Sequence, residues 1–118
     1  MSETLGPHER IRKRNDFLSL YKKGKRYRGK YFNLIYFSNS LNFSRMAVVV
    51  SKKIGNSVKR NKIKRWMRSL FRMNKNLLKN SFDIIFVVKK EIQDATWKKL
   101  EEEYFSAVES VCNKNESQ

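Results

Sequence analysis

The stretch SKKIGNSVKRNKIKRWMRSLFR, residues 51–72, holds nine Lys or Arg residues and no Asp or Glu. Guanidinium groups make forked hydrogen bonds to phosphate oxygens and ammonium groups act as point charges, so the chemistry on offer is polyanion binding. Hydrolysis is a different matter. A protein nuclease needs carboxylates clustered around metal ions or a histidine-based acid–base pair. Residues 17–82 contain no carboxylate, and the single histidine, His8, stands in the first dozen residues. Asp83 is isolated, while Glu101, Glu102 and Glu103 share their segment with Lys98 and Lys99. There is no phosphate-binding glycine loop and no Cys/His metal spacing. The lone Cys112 falls on the apolar side of its segment and reads as inert core. No catalytic residue and no metal ligand is therefore expected in this chain.

The charge distribution sharpens the first reading. The chain carries a net +16 over 118 residues. Residues 1–16, 17–82 and 83–118 contribute +1, +18 and −3. Such a field favours a polyanionic partner, because phosphate contacts release condensed counterions and relieve self-repulsion together. Nucleic acid is the first candidate, an acidic membrane surface the second, and a merely soluble basic surface the third. Apolar runs such as MAVVV, 46–50, are far too short to span a bilayer, and the N-terminus lacks the apolar core of a secretory signal. One cysteine excludes an internal disulfide and suits a reducing compartment, so a cytoplasmic protein is expected.

These cations need an element to hold them. At about 100° per residue from Val58 onward, Ile63, Trp66, Met67, Leu70 and Phe71 fall on one arc, and Lys64, Arg65, Arg68 and Arg72 on another, with Asn61 among them. One side docks and the other presents a comb of cations. Like charges three and four apart cost a helix roughly a few tenths of a kcal/mol per pair, so the repulsion must be relieved from outside. An ordinary solvated face carries both signs; this one does not.

The remaining elements follow from pattern. Residues 1–12 lack apolar periodicity and are expected to form a loose arm, and 113–118 a fraying tail, around a single domain at 13–112. RNDFLSLYKKG, 14–24, reads as a short helix capped by Asn15 or Asp16, with Phe17, Leu20 and Tyr21 on one face and Gly24 at its end. YFNLIYF, 31–37, and FSRMAVVVS, 43–51, read as strands joined by the turn SNSLN, hence as an antiparallel hairpin. Gly55, Asn56 and Ser57 break the chain and cap a helix of about 15 to 20 residues. FDIIFVV, 82–88, is an apolar run fit for burial on both faces, and residues 94–112 draw one apolar stripe through Trp97, Leu100, Tyr104, Val108 and Val111. The fold class is α+β: a two-layer α/β sandwich in the order α-β-β-β-α-β-α, the first strands able to merge. A second surface is suggested by Phe17 and Tyr21, four apart on the first helix, beside Lys22, Lys23, Lys25, Arg26, Arg28 and Lys30. Aromatic faces beside a basic groove suit single-stranded RNA.

The central motif resembles that of the protein subunit of bacterial ribonuclease P. Lys59-Arg60-Asn61-Lys62-Ile63-Lys64-Arg65, with Arg68, is similar to the family's Arg-Asn-Arg core, except that Lys62 stands where arginine is usual and gives up a fork while keeping the charge. Ser51-Lys52-Lys53-Ile54-Gly55-Asn56 and Asp16-Phe17 with Tyr21 and Gly24 extend the likeness across about residues 10–112. It implies a left-handed crossover around the basic helix, against the usual rule. It implies binding of a catalytic RNA through Lys52, Lys53, Lys59, Arg60, Asn61, Lys62, Lys64, Arg65, Arg68 and Arg72. It also implies contact with the 5′ leader of precursor tRNA through Phe17, Tyr21, Lys25, Arg28 and Tyr36. The expected assembly is one protein with one RNA, Mg²⁺ being held mainly by RNA and none by the protein. A ribosomal or assembly protein with a similar helix, and a nucleoid-type DNA binder, are the competing readings.

Overall fold

Seven consecutive residues, Phe82–Val88, are apolar except for Asp83, and a strand of that kind is stable only with both faces covered. The computed structural model, which describes residues 9–116, places it at the centre. In chain order the elements are α1 (Arg14–Lys23), β1 (Lys25–Arg28), β2 (Phe32–Ser38), β3 (Arg45–Val49), α2 (Ser57–Met73), β4 (Phe82–Val88) and α3 (Trp97–Glu116). The four strands form one sheet in the order β1-β2-β4-β3. The expected α+β class and element order are both present.

The expected hairpin between residues 31–37 and 43–51 is not. β4 lies between those strands, antiparallel to β2 and parallel to β3. The true hairpin is β1–β2, with Lys25 opposite Tyr36 and Arg28 opposite Asn33. Its turn is held from across the molecule: the Glu103 carboxylate on α3 accepts from the backbone N–H of Lys30 at 2.7 Å, of Tyr31 at 2.9 Å and of Phe32 at 3.1 Å.

Alternation along the strands assigns the two faces. Phe32, Leu34 and Tyr36 of β2, Met46 of β3, and Phe82, Ile84 and Phe86 of β4 join Met67, Leu70 and Phe71 of α2 and Leu100, Tyr104 and Ala107 of α3 in the main core. Ile35 and Ile85 face the other way, where they meet Leu20 of α1 and Ile11, with Phe17, Ala47, Val49 and Val87 partly covered. Two helices thus line one face of the sheet and α1 alone the other.

Several boundaries depart from expectation. α1 begins after Lys13 with no side-chain cap; neither Asn15 nor Asp16 serves, and Asp16 instead reaches Arg45 at 3.4 Å. α2, at 17 residues, keeps the expected length and ends at Met73, where Asn74 turns its amide back to the Leu70 carbonyl. The arm expected to be loose through residue 12 is pinned earlier: Arg10 bridges Met46, Ile11 is buried, and Glu9 meets Lys75 at 2.7 Å. His8 lies outside the described residues. α3 continues to Glu116, four residues past the expected end of the domain.

Candidate nucleic-acid interface

Before α2, Ser51 closes a short turn over Lys52–Ile54, and Gln93 donates to the Ile54 carbonyl, tying that turn to the segment that precedes α3. Gly55 then has φ 156° and ψ −168°, a backbone state closed to side-chain-bearing residues. This lets Asn56 cap α2 as expected, its carboxamide oxygen accepting from the Lys59 N–H at 3.0 Å.

The helix then behaves as its pattern dictates. Ile63, Met67, Leu70 and Phe71 are buried, and Trp66 is half-buried, edge-on to Trp97 at 5.7 Å. Lys52, Lys53, Lys59, Asn61, Lys62 and Arg65 are exposed, and Arg60, Lys64, Arg68 and Arg72 half-buried. Lys62 rides over the Trp66 ring, its ammonium 4.9 Å from the centroid, so its stem and charge are partly held by the protein itself. The Arg68 guanidinium is pushed below the usual arginine range, first by its burial and then by the charge of Arg10.

The ion pairs among the described residues are Arg45–Asp16, Arg45–Asp83 and Lys75–Glu9; none involves the ten residues of the basic segment. Asp83 and Glu103 are also used internally. Asp83 takes two hydrogen bonds from Arg45, at 2.9 and 2.6 Å, and one from Asn39 at 2.8 Å, and Glu103 caps the hairpin turn. Among the described residues no three of His, Cys, Asp or Glu stand close enough together to hold a metal ion. Cys112 is buried, its Sγ 3.6 Å from the Leu77 carbonyl oxygen.

A second basic surface lies across the sheet. Phe17 and Tyr21 stack at 6.2 Å, Phe17 half-buried against the smaller core and Tyr21 45% exposed. Arg26 extends the platform: its guanidinium lies 5.2 Å from the Tyr21 ring centre and donates to the Tyr21 carbonyl at 2.8 Å. Tyr21, Arg26, Arg28, Asn33, Ile35 and Lys89 line a cavity of about 530 Å³ here. Two of the five residues expected beside a single strand are elsewhere. Tyr36 is 2% exposed and packs edge-on against Phe82 in the main core, so it offers no face to a base. Lys25, opposite Tyr36 in register, points to the same side as Tyr36 and away from Tyr21. The parity that removes Lys25 brings in Arg26, and the antiparallel register brings Asn33 beside Arg28; Lys89 follows β4. Sequence reading named Arg26 among the six cations of the groove without preferring it over Lys25, and it missed Lys89, because strand parity and the position of β4 are set by pairing.

The arrangement defines a class: a small α+β domain whose parallel β3–α2–β4 unit presents a carboxylate-free cationic helix. The ribonuclease P family profile matches residues 5–112. The ribonuclease P protein component of Thermotoga maritima is 39% identical over 94 residues, 80% of each chain. That of Syntrophus aciditrophicus is 49% identical over 86 residues, 73% of this chain and 72% of the relative. Among solved structures, the RNase P protein of Thermotoga maritima superposes with a TM-score of 0.78 at 34% identity, covering 85% of this chain and 94% of that one. The Staphylococcus aureus protein gives 0.80 at 32%, covering 87% and 94%. This chain belongs to the ribonuclease P protein family.

Proposed function

We propose that the chain acts as the protein subunit of a cytoplasmic ribonuclease P, binding one catalytic RNA through α2 and the turn before it. The observation that carries this is the row Lys64, Arg65, Arg68 and Arg72 along one face of α2, in which no described acid neutralises any member. Such a row is stable against phosphates and repulsive without them. The groove at Phe17, Tyr21, Arg26 and Arg28 holds the 5′ leader of precursor tRNA, bases against the aromatic faces and phosphates against the guanidiniums. Cleavage of the leader belongs to the RNA, with Mg²⁺ coordinated mainly by RNA phosphates. The protein contributes positioning and charge: it screens repulsion between two large RNAs, broadens the range of substrates and lowers the Mg²⁺ concentration required.

The test is reconstitution of purified chain, candidate catalytic RNA and precursor tRNA at low Mg²⁺. Leader removal that depends on the protein is the expected result. Tight RNA binding with no rescue of cleavage would overturn it and point to a binding module without turnover.

A further inference from the structure

Arg10 forms a one-residue parallel bridge with Met46, and the Ile11 N–H donates to the Met46 carbonyl at 2.9 Å. Bridged partners project their side chains to the same face. Met46 lies in the core beneath α2, while Ile11 turns to the opposite face among Leu20, Ile35 and Ile85. Arg10 therefore points toward α2. Its Nε is buried and makes no hydrogen bond, a costly condition for part of a charged group.

Arg68 of α2 lies within the reach of that charge: its guanidinium is disfavoured first by burial and then by Arg10. No described acid pairs with either guanidinium. The preceding residue, Glu9, is bonded to Lys75 and anchors the segment beside the end of α2. Two guanidiniums from different parts of the chain thus share the side of the sheet beneath α2, with no described acid paired with either. Such a pair is unfavourable alone and becomes favourable once an anion with several oxygens takes a fork from each.

We propose that Arg10 and Arg68 jointly seat one phosphate group of the bound RNA, making the N-terminal bridge segment part of the RNA interface. A tetrahedral phosphate presents different oxygen pairs to two guanidiniums, which a planar carboxylate does less well. Arg72, one turn beyond Arg68, continues the same cationic row. The inference rests on the reading of α2 as the RNA-binding face and adds a residue from a separate segment to it.

Affinity for the catalytic RNA is measured across a salt series for the unchanged chain, Arg10→Gln, Arg68→Gln and the double variant. Each single variant is expected to bind about tenfold more weakly, and the double hardly worse than either, because both act on one phosphate. The salt slope of the double falls by about one phosphate's worth. Losses that multiply to about a hundredfold, with a slope reduced by about two, would mean two separate phosphates and would overturn the shared seat. Unchanged affinity and slope in Arg10→Gln would remove Arg10 from the interface. Inorganic phosphate supplies a readout without RNA: it should raise the melting temperature of the unchanged chain more than that of Arg10→Gln, with Arg10→Lys intermediate since it keeps the charge and loses the fork. An equal rise in all three overturns the seat even if Arg10→Gln is less stable. Failure of the unchanged chain to prefer the catalytic RNA over a scrambled one would instead defeat the functional reading, a result the phosphate titration does not depend on.

Discussion

At the scale of single residues, Phe17 and Tyr21 are four apart on one helix yet have different surroundings. Phe17 packs against the smaller core, while Tyr21 is exposed beside Arg26. Tyr21→Ala should weaken precursor tRNA binding by about 1–3 kcal/mol relative to mature tRNA, with stability changed by no more than about 0.5 kcal/mol. Phe17→Ala should likewise weaken precursor binding more than mature binding and also lower the melting temperature. Equal losses on both RNAs would make these aromatics structural only. On the other surface, Arg65→Ala with Arg68→Ala should flatten the salt dependence of catalytic-RNA binding by about two phosphates' worth, and an unchanged slope would move the interface elsewhere. The cations of α2 were legible because a helix wheel needs only the sequence. Tyr36 and Lys25 were not, because which side of a strand a residue faces depends on the partner strand's register, and one residue of parity exchanges Lys25 for Arg26.

At the scale of elements, two polar contacts hold the positioned pieces in place. Asn56→Ala removes the cap of α2 and should cost about 1 kcal/mol in a denaturant titration. Glu103→Ala strips the acceptor from three backbone N–H groups at the β1–β2 turn and should cost about 2 kcal/mol, releasing the hairpin that carries Arg26 and Arg28. A loss of well under 0.5 kcal/mol would show that water replaces the carboxylate there. Most elements were readable: the cap of α2, the apolar arc and the strand runs at 31–37, 43–51 and 82–88 lie where sequence pattern puts them, whereas the charged β1 carries no strand pattern and α1 lacks the expected cap. The strand pairing was not readable. SNSLN is good turn chemistry, so a hairpin was the local answer, yet the doubly buried run at 82–88 has a stronger claim to the place between two strands. The pinned segment at residues 9–11 escaped notice because a single bridge leaves no periodicity to read.

At the scale of the whole molecule, a net +16 acts on folding and binding with opposite signs. Added salt screens the repulsion among these cations, so the melting temperature of the free chain should rise from low to physiological ionic strength while RNA affinity falls. A melting temperature that fell with salt would mean that the internal pairs at Asp83 and Glu9 outweigh the repulsion. No described helix is long and apolar enough to cross a membrane.

The central place of β4 has a consequence for biosynthesis. Strands β2 and β3 are joined through β4, so a chain synthesised only as far as residue 80 contains most of the cations and no way to close the sheet. Until Phe82–Val88 emerges, the basic stretch is an unfolded polycation beside ribosomal RNA, and a chain halted at residue 80 should give the circular dichroism of a coil.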